Sequence, residues 1–301
     1  MSKHGPIAAG PDERPRPARG PSLIERAANV YDFRASLRGT PDTFVEPPRA
    51  DAAPVAPAPF RPAAANRMGT VALAALEEGG FILPGRKPTA LSEEFRVVKR
   101  QLLADDDGLA RSILVCSARP DEGKTFCAIN LAISLAAERD IEVLLVDADV
   151  AKPEIVATLG LEDGCGLLDA IADPAVDVEG CVIRTDVPRL SVLPAGGRTH
   201  EATELLSSAR TRDVLDRLRG GDPRRVIVFD SPPALAASQA GVLAMHCGQA
   251  LFVVRAEQTS EADIREALGL VSACPKPRLL LNGVEFGASS RRFGRYYGAD
   301  A

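Results

Sequence analysis

Three kinds of side chain in this 301-residue sequence stand where phosphate chemistry needs them: a lysine and a threonine directly after a glycine, and aspartates that end apolar runs. The first group is the segment Ser117-Ala118-Arg119-Pro120-Asp121-Glu122-Gly123-Lys124-Thr125. If a strand leads into it and a helix leaves it, backbone N–H groups and the helix N-terminus face a phosphate chain. Lys124 then reaches the terminal phosphates, and the Thr125 hydroxyl ligates Mg²⁺. On this reading Pro120, Asp121, Glu122, Gly123, Lys124, Thr125 and Phe126 bind ATP. The spelling departs from G-x-x-x-x-G-K-[ST] at Ala118, and Asp121 adds a negative charge beside the expected triphosphate.

The run Val143-Leu144-Leu145-Val146 ends in Asp147-Ala148-Asp149. Carboxylates two apart on a strand point the same way, and at the C-terminal edge of a parallel sheet they face the ligand crevice. Such a pair holds Mg²⁺ or takes a proton from an incoming hydroxyl; the plainer use of either residue is to cap a turn. A third acid, Asp230, ends Val226-Ile227-Val228-Phe229 and precedes Ser231-Pro232-Pro233, where it can support Mg²⁺ directly or through water.

These residues need strands to carry them. From about residue 90 apolar periodicity predicts helices at 91–103, 124–138, 201–219 and 260–273, alternating with strands at 112–116, 143–146, 190–193, 226–229, 250–254 and 279–281. Continuous apolar strands between helices predict an α/β fold, a mostly parallel sheet with helices on both faces of the P-loop NTPase kind. The preceding region differs. Fourteen of the 24 prolines lie in residues 1–88, which predicts a mostly disordered Pro/Ala-rich region there. Within it, Leu23, Ala27, Val30 and Phe33 follow helical spacing behind a Ser22/Glu25 capping pattern, so 22–33 reads as a short amphipathic helix. The expected division is therefore 1–88, a catalytic-type domain at 89–286, and a flexible tail at 287–301.

The net charge is −5, and residues 89–301 carry −8 of it against +3 before them, a balance that argues against nucleic acid as a partner. Six scattered cysteines without a C-x-x-C pair read as reduced thiols. No apolar stretch approaches the ~18–20 residues of a spanning helix, and the N-terminus shows no signal-peptide pattern. A cytoplasmic location, with any membrane association borrowed from a partner, is the expectation.

Taken together, Pro120 to Thr125, the second Walker A segment 143–149 and Asp230-Ser231-Pro232-Pro233 make the chain from 90 to 301 resemble the bacterial tyrosine kinases of capsule and exopolysaccharide loci, within the MinD/ParA-like ATPases. The start at 22–27 is similar to that of autokinases at exosortase loci. The resemblance implies ATP and Mg²⁺ as cofactors, with Lys124, Asp147 and Asp149 catalytic, Asp147 as base, and Thr125, Asp149 and Asp230 around the metal. It also implies phosphorylation of Tyr296 and Tyr297 in the tail of a neighbouring subunit, and self-association through Glu93, Arg96 and Lys99, the last standing where the family has arginine. Ala151-Lys152 occupies a place where the family usually has two arginines. A homo-oligomer activated by a membrane-bound polysaccharide co-polymerase, itself peripheral at the inner membrane, is the implied assembly. A MinD/ParA-like ATPase switch and a degenerate nucleotide-binding adaptor are the alternatives; the signature lysine of the former is absent from Cys116-Ser117-Ala118-Arg119.

Overall fold

The computed structural model describes residues 67–104, 111–220 and 222–284, all within a compact unit that begins at Arg61. The helix expected at 22–33 and the tyrosines Tyr296 and Tyr297 lie outside these residues.

Eight strands form one sheet in the order β1-β4-β5-β3-β6-β2-β7-β8. They are β1 (Arg67–Gly69), β2 (Ser112–Ser117), β3 (Glu142–Asp147), β4 (Ile183–Thr185), β5 (Leu190–Leu193), β6 (Arg225–Asp230), β7 (Gln249–Arg255) and β8 (Pro277–Asn282). Neighbours run parallel except β4 against β5, which are antiparallel. The helices are α1 (Leu73–Glu78), α2 (Ala90–Leu103), α3 (Lys124–Ala136), α4 (Ile155–Leu159), α5 (Leu167–Ala172), α6 (Val178–Cys181), α7 (Ala202–Leu206), α8 (Ala209–Gly220), α9 (Gln239–Ala244) and α10 (Glu261–Leu270).

The central strands are apolar along their whole length because both faces are covered. Leu114, Leu144, Ile227 and Phe252 point into one core, shared with α5, α7 and α8. Their strand neighbours Ile113, Leu145, Val228 and Val253 point into the other, shared with α1, α2, α3 and α4. This is the period-2 alternation of a strand, hidden in the sequence by burial on both sides.

Two expectations are corrected. The stretch expected as one helix at 201–219 is two, since α7 ends at Ser207 and α8 begins at Ala209. The Leu205 carbonyl, which a continuous helix would offer to Ala209, instead accepts the Ser208 N–H at 3.0 Å and the Thr211 hydroxyl at 2.8 Å. The folded unit also starts before residue 89. Strand β1 pairs with β4, and Val71, Leu76 and Ile82 are buried beside α3 and α4. A six-residue helix and a three-residue strand carry too little periodicity to register against the surrounding Pro/Ala-rich composition.

Candidate functional site

In the sheet order, β6 lies between β2 and β3. Register then places Asp230 opposite both Val115 of β2 and Asp147 of β3, so three strand ends deliver their residues to one crevice. The backbone ties them further: Ala148 N–H donates to the Asp230 carbonyl at 2.8 Å, and Ala234 N–H to the Ser117 carbonyl at 2.8 Å.

The loop after β2 turns into α3 through Gly123, whose φ of 89° lies in the left-handed region. A Cβ there would meet Nδ2 of Asn282 at 2.2 Å, and that amide donates to the Glu122 carbonyl at 2.9 Å. Glycine is required on both counts. Ala118, where the usual pattern has glycine, is fully buried and its methyl packs in the first core. Asp121 adopts φ 62° and holds its carboxylate out at the rim, 88% exposed, 3.8 Å from the Lys152 ammonium. Its charge is therefore screened by water and answered by a cation. The Glu122 side chain turns back into the loop: its carboxylate accepts from Arg119 N–H at 2.9 Å and from the Thr259 hydroxyl. Arg119 in turn makes a two-pronged bond to Asp263 at 2.8 and 3.0 Å. Glu122 is thus a strut of the loop, bracing it on the start of α10.

Lys124 is buried, with Nζ 2.9 Å from Asp149 Oδ2 and 3.3 Å from Thr125 Oγ1. Burial pulls its pKa down, but Asp230 and Asp149 outweigh that, and the net direction is up, so the ammonium stays charged. Asp149 accepts the Lys152 N–H at 3.1 Å. Asp147 is buried; Oδ2 accepts the Ile155 N–H at the start of α4 at 3.0 Å, while Oδ1 has no partner. Both oxygens of Asp230 are buried without a partner. Burial pushes Asp147 and Asp230 up to about 7, for Asp230 against the pull of Lys124 and the nearby Thr125 hydroxyl. Three orphaned carboxylate oxygens beside one buried ammonium are the mark of a site built for a charged ligand.

A cavity of about 500 Å³ is lined among others by Lys124, Thr125, Asp149, Lys152 and Pro232, while Asp147 and Asp230 lie buried behind its lining. Phe81 and Phe126 also line it, their ring centroids 4.8 Å apart. Phe81, Asn282, Thr259 and Asp263 carry no motif in the sequence; each reaches the loop only through tertiary contact. Among the described residues no set of three or more Asp, Glu, His or Cys side chains is arranged to hold a metal by itself.

The trio expected to self-associate is divided. Glu93 and Arg96 pair with each other on α2. Lys99, by contrast, is 5% exposed, donating to the Ser134 carbonyl at 2.8 Å and pairing with Glu138 at 2.6 Å. A buried ammonium needs such acceptors, and it caps α3 of its own chain where a surface contact was expected. All six cysteines are free; five are buried, and Cys165 is exposed where a buried thiol was expected.

No family profile matches the chain. Tyrosine-protein kinase YwqD of Bacillus subtilis is 29% identical over 69% of this chain and 86% of its own length. The succinoglycan biosynthesis transport protein ExoP of Rhizobium meliloti is 31% identical over 60% of the chain. A solved structure of the VpsO kinase domain superposes with a TM-score of 0.57 at 29% identity, covering 64% of the chain and 95% of that domain. The chain is thus similar to bacterial tyrosine kinases over 69% of its length in the first case and 64% in the last. It spans 86% of YwqD but 23% of ExoP and 29% of the EpsB proteins, so it corresponds to one part of these longer relatives. Among the described residues no helix is long and apolar enough to cross a membrane.

Proposed function

We propose that the chain is an ATP-dependent protein-tyrosine autokinase acting in exopolysaccharide or capsule assembly, with Tyr296 and Tyr297 of a neighbouring copy as acceptors. The observation that carries this is the set of orphaned carboxylate oxygens of Asp147 and Asp230 around the buried Lys124. The residues fit Mg-ATP. The backbone from Gly123 to Thr125 and the N-terminus of α3 would take the phosphates, and Thr125, Asp149 and Asp230 would hold Mg²⁺, which supplies charge neutralisation when bound.

The rest follows from this chain's own groups. Lys124 exchanges its bond with Asp149 for the terminal phosphates, freeing that carboxylate. Asp147, held by Ile155 N–H on one oxygen and unpartnered on the other, takes the phenolic proton as the tyrosine oxygen bonds to phosphorus and ADP leaves. A carboxyl near 7 is matched to that transfer at neutral pH. Catalysis is then mainly positioning and electrostatics.

The names of YwqD and ExoP, a tyrosine kinase and a polysaccharide transport protein, support the reading. The missing signature lysine argues against the plain ATPase switch. A homo-oligomer at the cytoplasmic face of the inner membrane, activated by a membrane-bound polysaccharide co-polymerase, completes the proposal. Incubation of the full chain with Mg-ATP tests it: tyrosine phosphate is expected, lost in Lys124→Met and in the double variant Tyr296→Phe, Tyr297→Phe. Tyrosine phosphate that persists in either variant would overturn the assignment.

A further inference from the structure

We propose that Phe81 and Phe126 form an aromatic wall that receives the phenol ring of the acceptor tyrosine, an assignment that rests on the kinase reading above. The two rings are tilted at 41° with centroids 4.8 Å apart, both half-buried against the second core and both lining the cavity of about 500 Å³. Besides the charged Lys124, Asp149, Lys152 and Glu154, the same cavity is lined by Pro232, Pro233 and Ala236. Aromatic and apolar lining does nothing for a phosphate, whereas together with charged groups it suits a ring with a polar tip. Thr125 and Asp149, beside which the terminal phosphate would meet its acceptor, both line the cavity, and Asn282 does not.

The wall is built and held. Asn130 of α3 is fully buried, and its amide fastens both aromatic segments: Oδ1 accepts the Ile82 N–H at 2.7 Å, and Nδ2 donates to the Phe126 carbonyl at 2.9 Å. Phe81 N–H donates to the Leu76 carbonyl at 2.9 Å, so the short helix α1 delivers the ring. One buried side chain thus sets the spacing of two residues 45 positions apart, Phe81 and Phe126.

The test uses the full-length chain carrying Tyr296→Phe and Tyr297→Phe, with a synthetic peptide of residues 294–300 as acceptor and Mg-ATP as donor. Phe81→Leu, which keeps apolar volume without a ring, is expected to raise the peptide KM about tenfold, the scale of one aromatic contact, while the KM for ATP stays within twofold. Phe81→Tyr, which keeps the ring, is expected to behave as the parent. Melting curves on both variants confirm that they fold. A rise in the ATP KM with the peptide KM unchanged assigns the wall to the nucleotide base and overturns the proposal, as does a Phe81→Leu variant equal to the parent. A parent that consumes Mg-ATP yet places no phosphate on the peptide, while the wild-type chain labels its own tail, overturns the ring assignment alone. Absence of tyrosine phosphate in the wild-type chain itself overturns the kinase reading along with it.

Discussion

Lys124 sits at the centre of the charge balance, paired with Asp149 and facing Asp230. Replacing it with methionine removes a buried cation placed to travel with the phosphates, and tyrosine phosphorylation is expected to fall by at least about 10³-fold. The carboxylates carry a second consequence. Burial raises Asp147 and Asp230 to about 7 in the folded chain, while unfolded they titrate near ~4. Between about pH 4 and 7 the folded state therefore holds protons that the unfolded state has released, and the stability of the nucleotide-free protein falls as pH rises through that window. Asp230→Asn removes one of these buried charges. It is expected to stabilise the nucleotide-free chain at pH 8 by about 1–3 kcal/mol, and hardly at all at pH 5, while abolishing turnover. Urea denaturation at the two pH values reads the difference; an equal effect at both would show that a buried charge is not the cause.

At the scale of elements, the phosphate loop is held by what surrounds it. Its Gly123 combines a left-handed φ with a side chain, Asn282, lying where a Cβ would be. Gly123→Ala is expected to cost roughly 1–2 kcal/mol in loop geometry and to weaken Mg-ATP binding about tenfold, measured by calorimetry. Adding Asn282→Ala relieves the contact but leaves the backbone strain, so only part of the affinity should return. The helix α3 was legible from its apolar run, and the capping box of Thr89 and Ser92 on α2, with N–H to hydroxyl distances of 2.7 and 3.2 Å, shows why that helix starts where the pattern suggested. The break between α7 and α8 was not legible, because it is made where the Leu205 carbonyl takes the Ser208 N–H and the Thr211 hydroxyl, while the apolar spacing runs through it.

For the molecule as a whole, the segment before residue 89 is part of the core. Leu76 is fully buried, and Ala72 N–H donates to the Leu159 carbonyl at 2.9 Å, joining α1 to the end of α4. Leu76→Ala is expected to lower stability by about 2–5 kcal/mol. A chain starting at residue 67 is expected to unfold cooperatively, and one starting at 89 at a clearly lower temperature, because the latter uncovers apolar surface on α3 and α4; equal melting temperatures would show that the segment is dispensable. The same truncation removes Phe81 from the cavity, so it should also alter acceptor use.

The chemistry of this protein was written locally. Gly123-Lys124-Thr125, Asp147-Ala148-Asp149 and Asp230 are contiguous signals at the ends of apolar runs, and a parallel sheet carries strand ends to one edge whatever the details of the loops. What tertiary structure alone decided are contacts between residues far apart in the chain. Asn282 meets Glu122 from 160 positions away, Phe81 closes on Phe126, and Lys99 is drawn under the end of α3, where it caps carbonyls of its own chain. None of these has a spacing to read, because each arises where crossovers stack separate elements, and only packing determines which side chains then touch.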